Sequence, residues 1–258
     1  METDTTVTSD DIRRGLSDLG VRSGDTIMVH SSLSSFGHVN GGAPAVIEGL
    51  SRAVGSAGTV VMPAFTLSLR DVRAPVLDVL RSPSEVGAIA ETFRVMPGAV
   101  RTRHILHSVS ARGARAAQVA ACRHISSWGD DTPFMKLYDW DAWIVLLGCD
   151  YTSCTLLHAV EQAESVSYRY VQKFPDARLV DEDGRESPLY CTTLTRKEGY
   201  NNDFTRPGKL LAVEGHETTT VVGSATLRAV RARVLIDTVR DAVRNDPSFL
   251  LRQDTQRV

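Results

Sequence analysis

The sequence lacks any apolar stretch of the roughly 18 residues that a membrane-spanning helix needs. Its first residues, METDTTVTSDDIRRGL, are polar and acidic and contain no apolar core of a signal peptide. It also lacks an excess of basic charge, since the formal net charge of the 258 residues is -2. Such a charge balance shows no excess of positive charge that would favour binding to nucleic acid or to an anionic membrane. We therefore expect a cytoplasmic protein without nucleic-acid or membrane partners.

Cysteine is scarce, and no two cysteines have the CxxC spacing of a zinc ribbon or a redox motif. The four thiols are scattered at Cys122, Cys149, Cys154 and Cys191. Scattered thiols suit a reducing compartment. The common nucleotide fingerprints GxGxxG and GxxxxGK[ST] are absent as well. The sequence thus excludes the familiar zinc, redox and nucleotide motifs.

What remains is an ordinary globular composition, 42% hydrophobic and 23% charged. Short apolar runs alternate with helical patterns in the first 170 residues, which is typical of an α/β fold with a mostly parallel central sheet flanked by helices. The expected strands are 25–30, 58–65 and 141–150, and the expected helices are 8–20, 42–55 and 82–98.

The C-terminal half has a different texture. Residues 176–190, DARLVDEDGRESPLY, predict a β-hairpin around Asp183-Gly184, a small antiparallel addition. Residues 224–245 predict one long amphipathic helix, with a solvated face formed by its arginines at positions 228, 231, 233, 240 and 244. We expect a single domain, 1–258, with this helix as a cover for the sheet or as a contact surface in a homo-oligomer.

The loop 30–42, HSSLSSFGHVNGG, follows a predicted strand and precedes a predicted helix. In α/β sheets ligands bind beyond the carboxyl ends of strands. Gly41 and Gly42 allow close approach of a ligand, and the following helix offers N–H groups to a phosphate. A polar connection without a ligand explains the same residues.

Residues 101–113, RTRHILHSVSARG, combine arginines and histidines just before a predicted strand. Arg101, Arg103, His104 and His107 could hold an anionic group through charge-assisted hydrogen bonds. A basic turn on the surface is the simpler reading of the same pattern.

The segment 152–164, TSCTLLHAVEQAE, follows the strongest predicted strand and places His158 and Glu161 one helical turn apart. A carboxylate can fix the tautomer of a histidine base and stabilise its imidazolium. Three other readings stay open at this point. They are a pair without chemical use, a metal site formed with Cys154, and a Cys154 thiolate activated by His158.

The order of these segments resembles the aminoglycoside 3-N-acetyltransferase family. The likeness runs over about residues 10–170, through MVHSSLSSFGHVNGG, SEVGAIAETFRVMPG, RTRHILHSVSARG, TPF and WIVLLGCDYTSCTLLHAVE. It implies an acetyl-CoA-dependent N-acetyltransferase, with acetyl-CoA as co-substrate, no metal, and a role in antibiotic resistance. The expected acceptor is a cationic aminoglycoside, modified on its 3-amino group.

The family's TxLHxxE pattern falls on Thr155, His158 and Glu161, with His158 as the expected base. The amine would attack the thioester directly, and the Thr155 hydroxyl or nearby helix-N-terminal N–H groups would stabilise the oxyanion. The resemblance implies acetyl-CoA contacts at His30, Ser31, Ser32, Leu33, Phe36, Gly37, Gly42, Arg101, His104, His107, Ser108 and Val109.

Two features depart from the family or fall outside the resemblance. Ile105 follows His104 where the family usually has proline, and the acceptor-side segment 170–222 shows no usable likeness. A carboxylate-lined acceptor cleft has candidates in Asp130, Asp131, Asp139, Asp141, Glu161 and Glu164, which could equally be solvated acidic loops. A biosynthetic acyl-CoA N-acyltransferase of another small amine, a metal-dependent hydrolase and a non-catalytic CoA-binding relative remain alternatives.

Overall fold

The computed structural model describes residues 6–252. Its helices are α1 Ser9–Asp18, α2 Gly42–Val54, α3 Ala88–Arg94, α4 Ala116–Ala120, α5 Pro133–Asp139, α6 Leu157–Ala163, α7 Thr205–Val213 and α8 Ala232–Asn245. Its strands are β1 Thr26–Ser31, β2 Thr59–Pro63, β3 Val76–Asp78, β4 Val100–Arg101, β5 Val109–Gly113, β6 Trp143–Leu147, β7 Arg169–Lys173, β8 Arg178–Val180, β9 Glu186–Pro188, β10 Thr192–Arg196, β11 Thr218–Val222 and β12 Ala225–Arg231. Within these residues, no helix combines the length and apolarity required to cross a bilayer.

A seven-stranded sheet forms the centre of the molecule, in the order β11-β12-β6-β1-β2-β5-β4. β1 pairs in parallel with both β2 and β6, and its last residue Ser31 lies opposite Leu147, the last residue of β6. β5 and β12 run against their neighbours, so the other five strands share one direction. The α/β fold class is confirmed, with β5 and β12 as antiparallel exceptions in the central sheet.

Both faces of the sheet are covered, which explains the apolar runs in the sequence. Successive residues of a strand point to opposite faces. Met28 therefore packs in the core under α5, α6 and α8, whereas Ile27 and Val29 pack in the core under α1 and α2. The result is a helix–sheet–helix sandwich that leaves the ends of the central strands open to ligands.

The first helix begins where the sequence places it. The Thr8 hydroxyl accepts the N–H of Asp11 at 3.3 Å, and the Asp11 carboxylate accepts the N–H of Thr8 at 2.9 Å, which forms a capping box. α1 packs on α2 at Gly49, where a Cβ would lie 2.6 Å from the Ser9 carbonyl. The two helices can approach this closely only because residue 49 is glycine and has no side chain.

The predicted helix 224–245 is wrong in its first third. Residues 225–231 form β12, which pairs with β6, and α8 begins only at Ala232. Leu227 and Ala229 alternate into the core in the period of a strand. Gly223-Ser224 forms a two-residue turn between β11 and β12, and such a turn is typical of a β-hairpin. The near-helical spacing of the arginines that follow favours a helix instead.

The arginines of this region consequently divide into two groups. Arg228 forms an ion pair with the buried Glu217 and Arg231 stacks 4.0 Å above the Trp143 ring, so neither belongs to a solvated helix face. Arg240 and Arg244 do lie on α8, where both pair with Glu164.

Two small sheets add to the central one, and only the hairpin 176–190 was expected. The predicted hairpin forms as β8 and β9, with β3 beside it, and β7 pairs with β10 in a separate antiparallel ribbon. Helix 82–98 is shorter than predicted, since α3 covers only Ala88–Arg94.

Candidate active site

A central cavity of about 450 Å³ lies at the carboxyl ends of β1, β2 and β6. β5 is antiparallel, so the residues just before it reach the same edge. The lining is Val29, His30, Ser31, Pro63, Phe65, Leu67, Arg70, Val86, Ala90, His107, Trp128, Thr152, Ser153, Thr155 and His158. The sheet thus brings the three predicted segments 30–42, 101–113 and 152–164 to one place.

His158 stands on the first turn of α6 with 23% of its side chain exposed, towards this cavity. Its ring lies between the indole of Trp128, at a centroid distance of 5.1 Å, and the ring of Phe204, at 4.9 Å. The two aromatic side chains leave the imidazole little freedom to rotate. His158 also lines a second cavity of about 600 Å³, which shares Arg70, His107 and Trp128 with the central one.

Glu161 fixes the protonation pattern of His158. Its Oε2 lies 2.5 Å from His158 Nδ1, and the Glu161 side chain has no exposed surface. An ionised carboxylate can only accept hydrogen bonds, so Nδ1 carries a proton and donates a hydrogen bond to Oε2. Nε2 is then left with a lone pair that can take a proton from a substrate.

Glu161 is held in place by two further side chains. Arg169 Nε lies 2.7 Å from Oε2, and because its N–H does not point at that oxygen the contact is an ion pair rather than a hydrogen bond. Asn202 Nδ2 donates to Oε1 at 2.9 Å. Burial raises the pKa of Glu161, but His158 and Arg169 outweigh it and hold this pKa at about 2. Glu161 is therefore ionised at neutral pH.

The pKa of His158 lies below its usual value. Burial lowers it, and the Glu161 carboxylate offsets part of this effect. His158 is consequently neutral at pH 7 and able to act as a base. Burial thus places His158 in the neutral state that proton abstraction requires, against the opposing effect of Glu161.

Thr155 lines the central cavity between β6 and α6. Its Oγ1 lies 3.5 Å from His30 Nε2, and burial lowers the pKa of His30 to about 4, so this ring is neutral. The backbone N–H groups of Leu157 and His158 already bond to the carbonyls of Cys154 and Thr155. The hydroxyl of Thr155, rather than the N–H groups of these two residues, is available for an oxyanion.

The reading of Cys154 as a nucleophile is wrong. Its side chain is completely buried, and burial raises its thiol pKa to about 12. A buried thiol in its neutral form is neither accessible nor nucleophilic. Among residues 6–252, no group of three or more His, Cys, Asp or Glu side chains is arranged to hold a metal ion.

A third cavity of about 540 Å³ opens along the loop after β1 and shares Ser31 with the central cavity. Five of the predicted acetyl-CoA contacts line it, namely Ser31, Ser32, Leu33, Gly37 and Gly42. At Gly42, with φ of +58°, a Cβ would meet no atom within 4 Å, so the backbone there faces open space. Of the other two predicted contacts in this loop, His30 lines the central cavity, whereas Phe36 is 1% exposed and packs in the core.

Arg101 and Ser108 line none of the three cavities, contrary to expectation. Burial lowers the pKa of Arg101 to about 10, and its guanidinium is occupied by the carbonyls of Ser82 and Ala64 and by the Ser108 hydroxyl. Ser108 itself donates to the Ala64 carbonyl. The two side chains tie neighbouring loops together.

The remaining residues of this segment behave differently from one another. His104 and Val109 have no exposed surface, and His104 Nε2 bonds to the Thr192 carbonyl at 3.0 Å, so both predicted contacts are wrong for the side chains. His107 does line the central and the second cavity. Its Nδ1 lies 2.7 Å from Ser127 Oγ, and burial holds its pKa well below the usual value.

The acidic candidates do not form a carboxylate-lined cleft. Asp130, Asp131, Asp139, Asp141 and Glu164 line none of the three cavities, and Glu161 lies behind His158. The second cavity is mainly basic and polar. Its lining is Arg70, His107, Trp128, His158, Arg169, Leu194, Thr195, Arg196, Lys197, Glu198, Gly199, Tyr200, Asn201 and Asn202.

Several site residues were missed because they come from distant parts of the chain. Trp128 reaches His158 from the loop before α5, Arg169 from β7, and Asn202 and Phe204 from the segment before α7. No spacing in the sequence connects them to His158, so they could be found only after the fold was known.

Comparison with known proteins agrees with the geometry. The family model described as Aminoglycoside 3-N-acetyltransferase matches residues 28–244. The aminoglycoside N(3)-acetyltransferase IV of Salmonella sp is 28% identical over 92% of this chain and 87% of that protein. The SPbeta prophage-derived aminoglycoside N(3')-acetyltransferase-like protein YokD of Bacillus subtilis is 35% identical over 60% of this chain and 64% of its own length, just under two thirds.

Solved structures agree as well. The crystal structure of aminoglycoside acetyltransferase AAC(3)-Xa superposes with a TM-score of 0.82 at 27% identity, covering 93% of each chain. The predicted enzyme class, an acetyl-CoA:amine N-acetyltransferase, is the class of this family. From the family match over residues 28–244 and these relatives, the chain belongs to the aminoglycoside 3-N-acetyltransferase family.

Proposed function

We propose that the protein transfers the acetyl group of acetyl-CoA to the amine of a small molecule, with His158 as general base. One observation carries this proposal, the contact of 2.5 Å between His158 Nδ1 and the buried Glu161 carboxylate. It leaves a neutral Nε2 at the junction of the central and second cavities, where an incoming amine would arrive.

The cavity along the loop after β1 suits the pantetheine and pyrophosphate of acetyl-CoA. Gly42 leaves open space beside its backbone, and the hydroxyl groups of Ser31 and Ser32 line the wall. Ser31 then connects this cavity to His158, so the thioester could reach the base. A structural relative of 22% identity, AAC-IIIb, was solved as a binary complex with CoASH. The co-substrate supplies an activated thioester, so no acyl-enzyme is needed.

The chain's own residues would manage the proton and the developing charge. As the C–N bond forms, His158 Nε2 accepts the proton of the attacking amine, and Glu161 stabilises the resulting imidazolium. The Thr155 hydroxyl donates to the carbonyl oxygen as it gains negative charge. The C–S bond then breaks, and the CoA thiolate leaves with a proton from His158. A positioned base contributes on the order of 10²–10⁴ in rate.

Two classes of acceptor come into question. The names of the curated relatives favour the 3-amino group of an aminoglycoside, in which case the enzyme would give antibiotic resistance. The second cavity favours another small amine, because cationic side chains outnumber carboxylates in its lining. Both share the same chemistry at His158.

The test replaces His158 with alanine and follows CoA release with a thiol reagent, using a panel of aminoglycosides and other small amines. We expect kcat to fall by about 10²-fold or more, with acetyl-CoA binding retained. His216→Ala is the matched control, since His216 pairs with Glu214 on the surface and should leave turnover unchanged. Near wild-type turnover of His158→Ala would refute the assignment of the base.

A further inference from the structure

The second cavity is cationic. Four of its lining side chains carry positive charge, Arg70, Arg169, Arg196 and Lys197, against one carboxylate, Glu198. Arg169 is neutralised by Glu161 behind the site. The remaining three cations face the cavity with one exposed glutamate among them, so the acceptor side has a net positive charge.

These three cations form no ion pair within the described part of the chain, although Arg196 donates to Asn202 Oδ1 at 3.2 Å. None of the ion pairs formed within residues 6–252 includes Arg70, Arg196 or Lys197. Arg70 is half-buried and its Nη1 donates to Thr195 Oγ1 at 3.2 Å. A partly desolvated guanidinium with only a hydroxyl partner retains donors for an anion.

The cations lie within a small molecule's length of the base. Arg169 Nη2 lies 3.2 Å from His158 Nδ1 and 2.9 Å from Asn202 Oδ1. Arg196 Nη1 lies 3.2 Å from the same Asn202 oxygen. Arg70 lines both the second and the central cavity. A compact ligand could therefore touch a cation while its amine reaches His158.

This arrangement opposes a polycationic acceptor. An aminoglycoside carries several ammonium groups, and like charges across a binding site cost affinity unless carboxylates compensate them. Glu198 is the single carboxylate in the lining, and it is exposed, as are Arg196 and Lys197, whereas Arg70 is half-buried. An acceptor with a negative group would instead pair with the guanidinium and ammonium groups.

Resting on the proposed N-acetyl transfer, we propose that the acceptor is a small amine carrying a carboxylate or phosphate, bound by Arg70, Arg196 and Lys197. The anionic group holds the substrate in the second cavity, and its amine points to His158. Specificity then depends on the charge at the end of the acceptor opposite the reacting nitrogen.

The first experiment compares matched acceptors in the CoA-release assay. The pairs are 3-aminopropyl phosphate with 3-aminopropanol, and 4-aminobutanoate with 4-aminobutanamide, and a 2-deoxystreptamine aminoglycoside is a separate acceptor. We expect kcat/KM to be at least about tenfold higher for the charged member of a pair. The better of the two pairs shows whether phosphate or carboxylate is preferred. A higher kcat/KM for the aminoglycoside than for every anionic amine would overturn the inference but leave the proposed function intact.

The second experiment tests the anion site without turnover. Calorimetry with inorganic phosphate on the CoA-saturated protein should show binding that weakens at least about tenfold in the double variant Arg196→Gln/Lys197→Gln. Arg185→Gln is the control, since Arg185 pairs with Asp183 at 77% exposure and should bind like the wild type. Unchanged phosphate binding in the double variant, no binding at all, or displacement of phosphate by CoA would each refute the site. If phosphate binds as expected but no amine is ever acetylated, the proposed function fails and the anion site stands.

Discussion

Glu161 Oε2 lies 2.5 Å from His158 Nδ1, while its other oxygen accepts from Asn202 at 2.9 Å. The carboxylate is fully buried, so bulk solvent does not reach it. His158 and then Arg169, at 2.7 Å, lower its pKa and keep it ionised. The base therefore has its tautomer set by a carboxylate that is itself oriented from two other parts of the chain.

Replacing Glu161 with glutamine should lower kcat/KM by at least about tenfold, because a neutral amide stabilises the imidazolium less. It should also move the acid limb of the pH–rate profile to lower pH, since Glu161 raises the pKa of His158. A loss of folding alone would not shift that limb. Glu164→Gln, at the end of the same helix and paired with Arg240 and Arg244, is the control and should leave the limb in place.

The wild-type pH dependence follows from the same group. Only neutral His158 can accept a proton, so kcat/KM should rise with pH through the pKa of His158 and then level off. Burial puts this pKa below the ordinary value of 6.5, which places the midpoint on the acidic side of 6.5. The measurement is kcat/KM between pH 5 and pH 8, calculated on the concentration of the unprotonated acceptor amine, with acetyl-CoA saturating. A midpoint above 6.5 would contradict the assignment of His158 as the titrating base.

The elements that the sequence predicts well are those determined by local pattern. The start of α1 is predictable from Thr8, which forms a capping box with Asp11. β1 and β6 are mostly apolar in sequence because both of their faces are buried. Their positions then place His158 at the strand ends. The sequence of β12 favours a helix because Arg228 and Arg231 are three residues apart, as on one face of a helix. Its buried residues Ala225, Leu227 and Ala229 nevertheless follow the two-residue period of a strand.

The candidate site was predictable where one segment contains the chemistry, as at His158 and Glu161. It was not predictable where side chains converge from distant segments, since Arg169 and Asn202 reach Glu161 only after β7 and the loop before α7 have packed. Arg101 shows the reverse error, because its charge suggested an anion site but its donors bond to carbonyls inside the protein. The residue type alone does not distinguish a side chain that contacts a ligand from one that hydrogen-bonds inside the protein.

Cys154→Ala should retain turnover, because the thiol is buried and protonated and lines none of the three cavities described above. A thiol-blocking reagent applied to the native protein should likewise leave the Cys154 side chain unmodified, which mass spectrometry of digested protein can establish. The variant should lose on the order of 1 kcal/mol of unfolding free energy, measured in urea, since a fully buried sulfur is replaced by space. Loss of activity at unchanged stability would restore the nucleophile reading.

Thr155→Val should lower kcat by about 10- to 1,000-fold with little change in the KM for acetyl-CoA, since the hydroxyl is expected to bond mainly to the charge that develops during the reaction. Valine keeps the branched shape, so the cavity wall and its packing are preserved. Thr155→Ser should recover most of the rate, because it returns the hydroxyl without the methyl group. The comparison needs steady-state kinetics with both substrates varied. If valine and serine variants are equally active, the Thr155 hydroxyl does not stabilise the oxyanion. His30, whose Nε2 lies 3.5 Å from Thr155 Oγ1, then becomes the next candidate for that role.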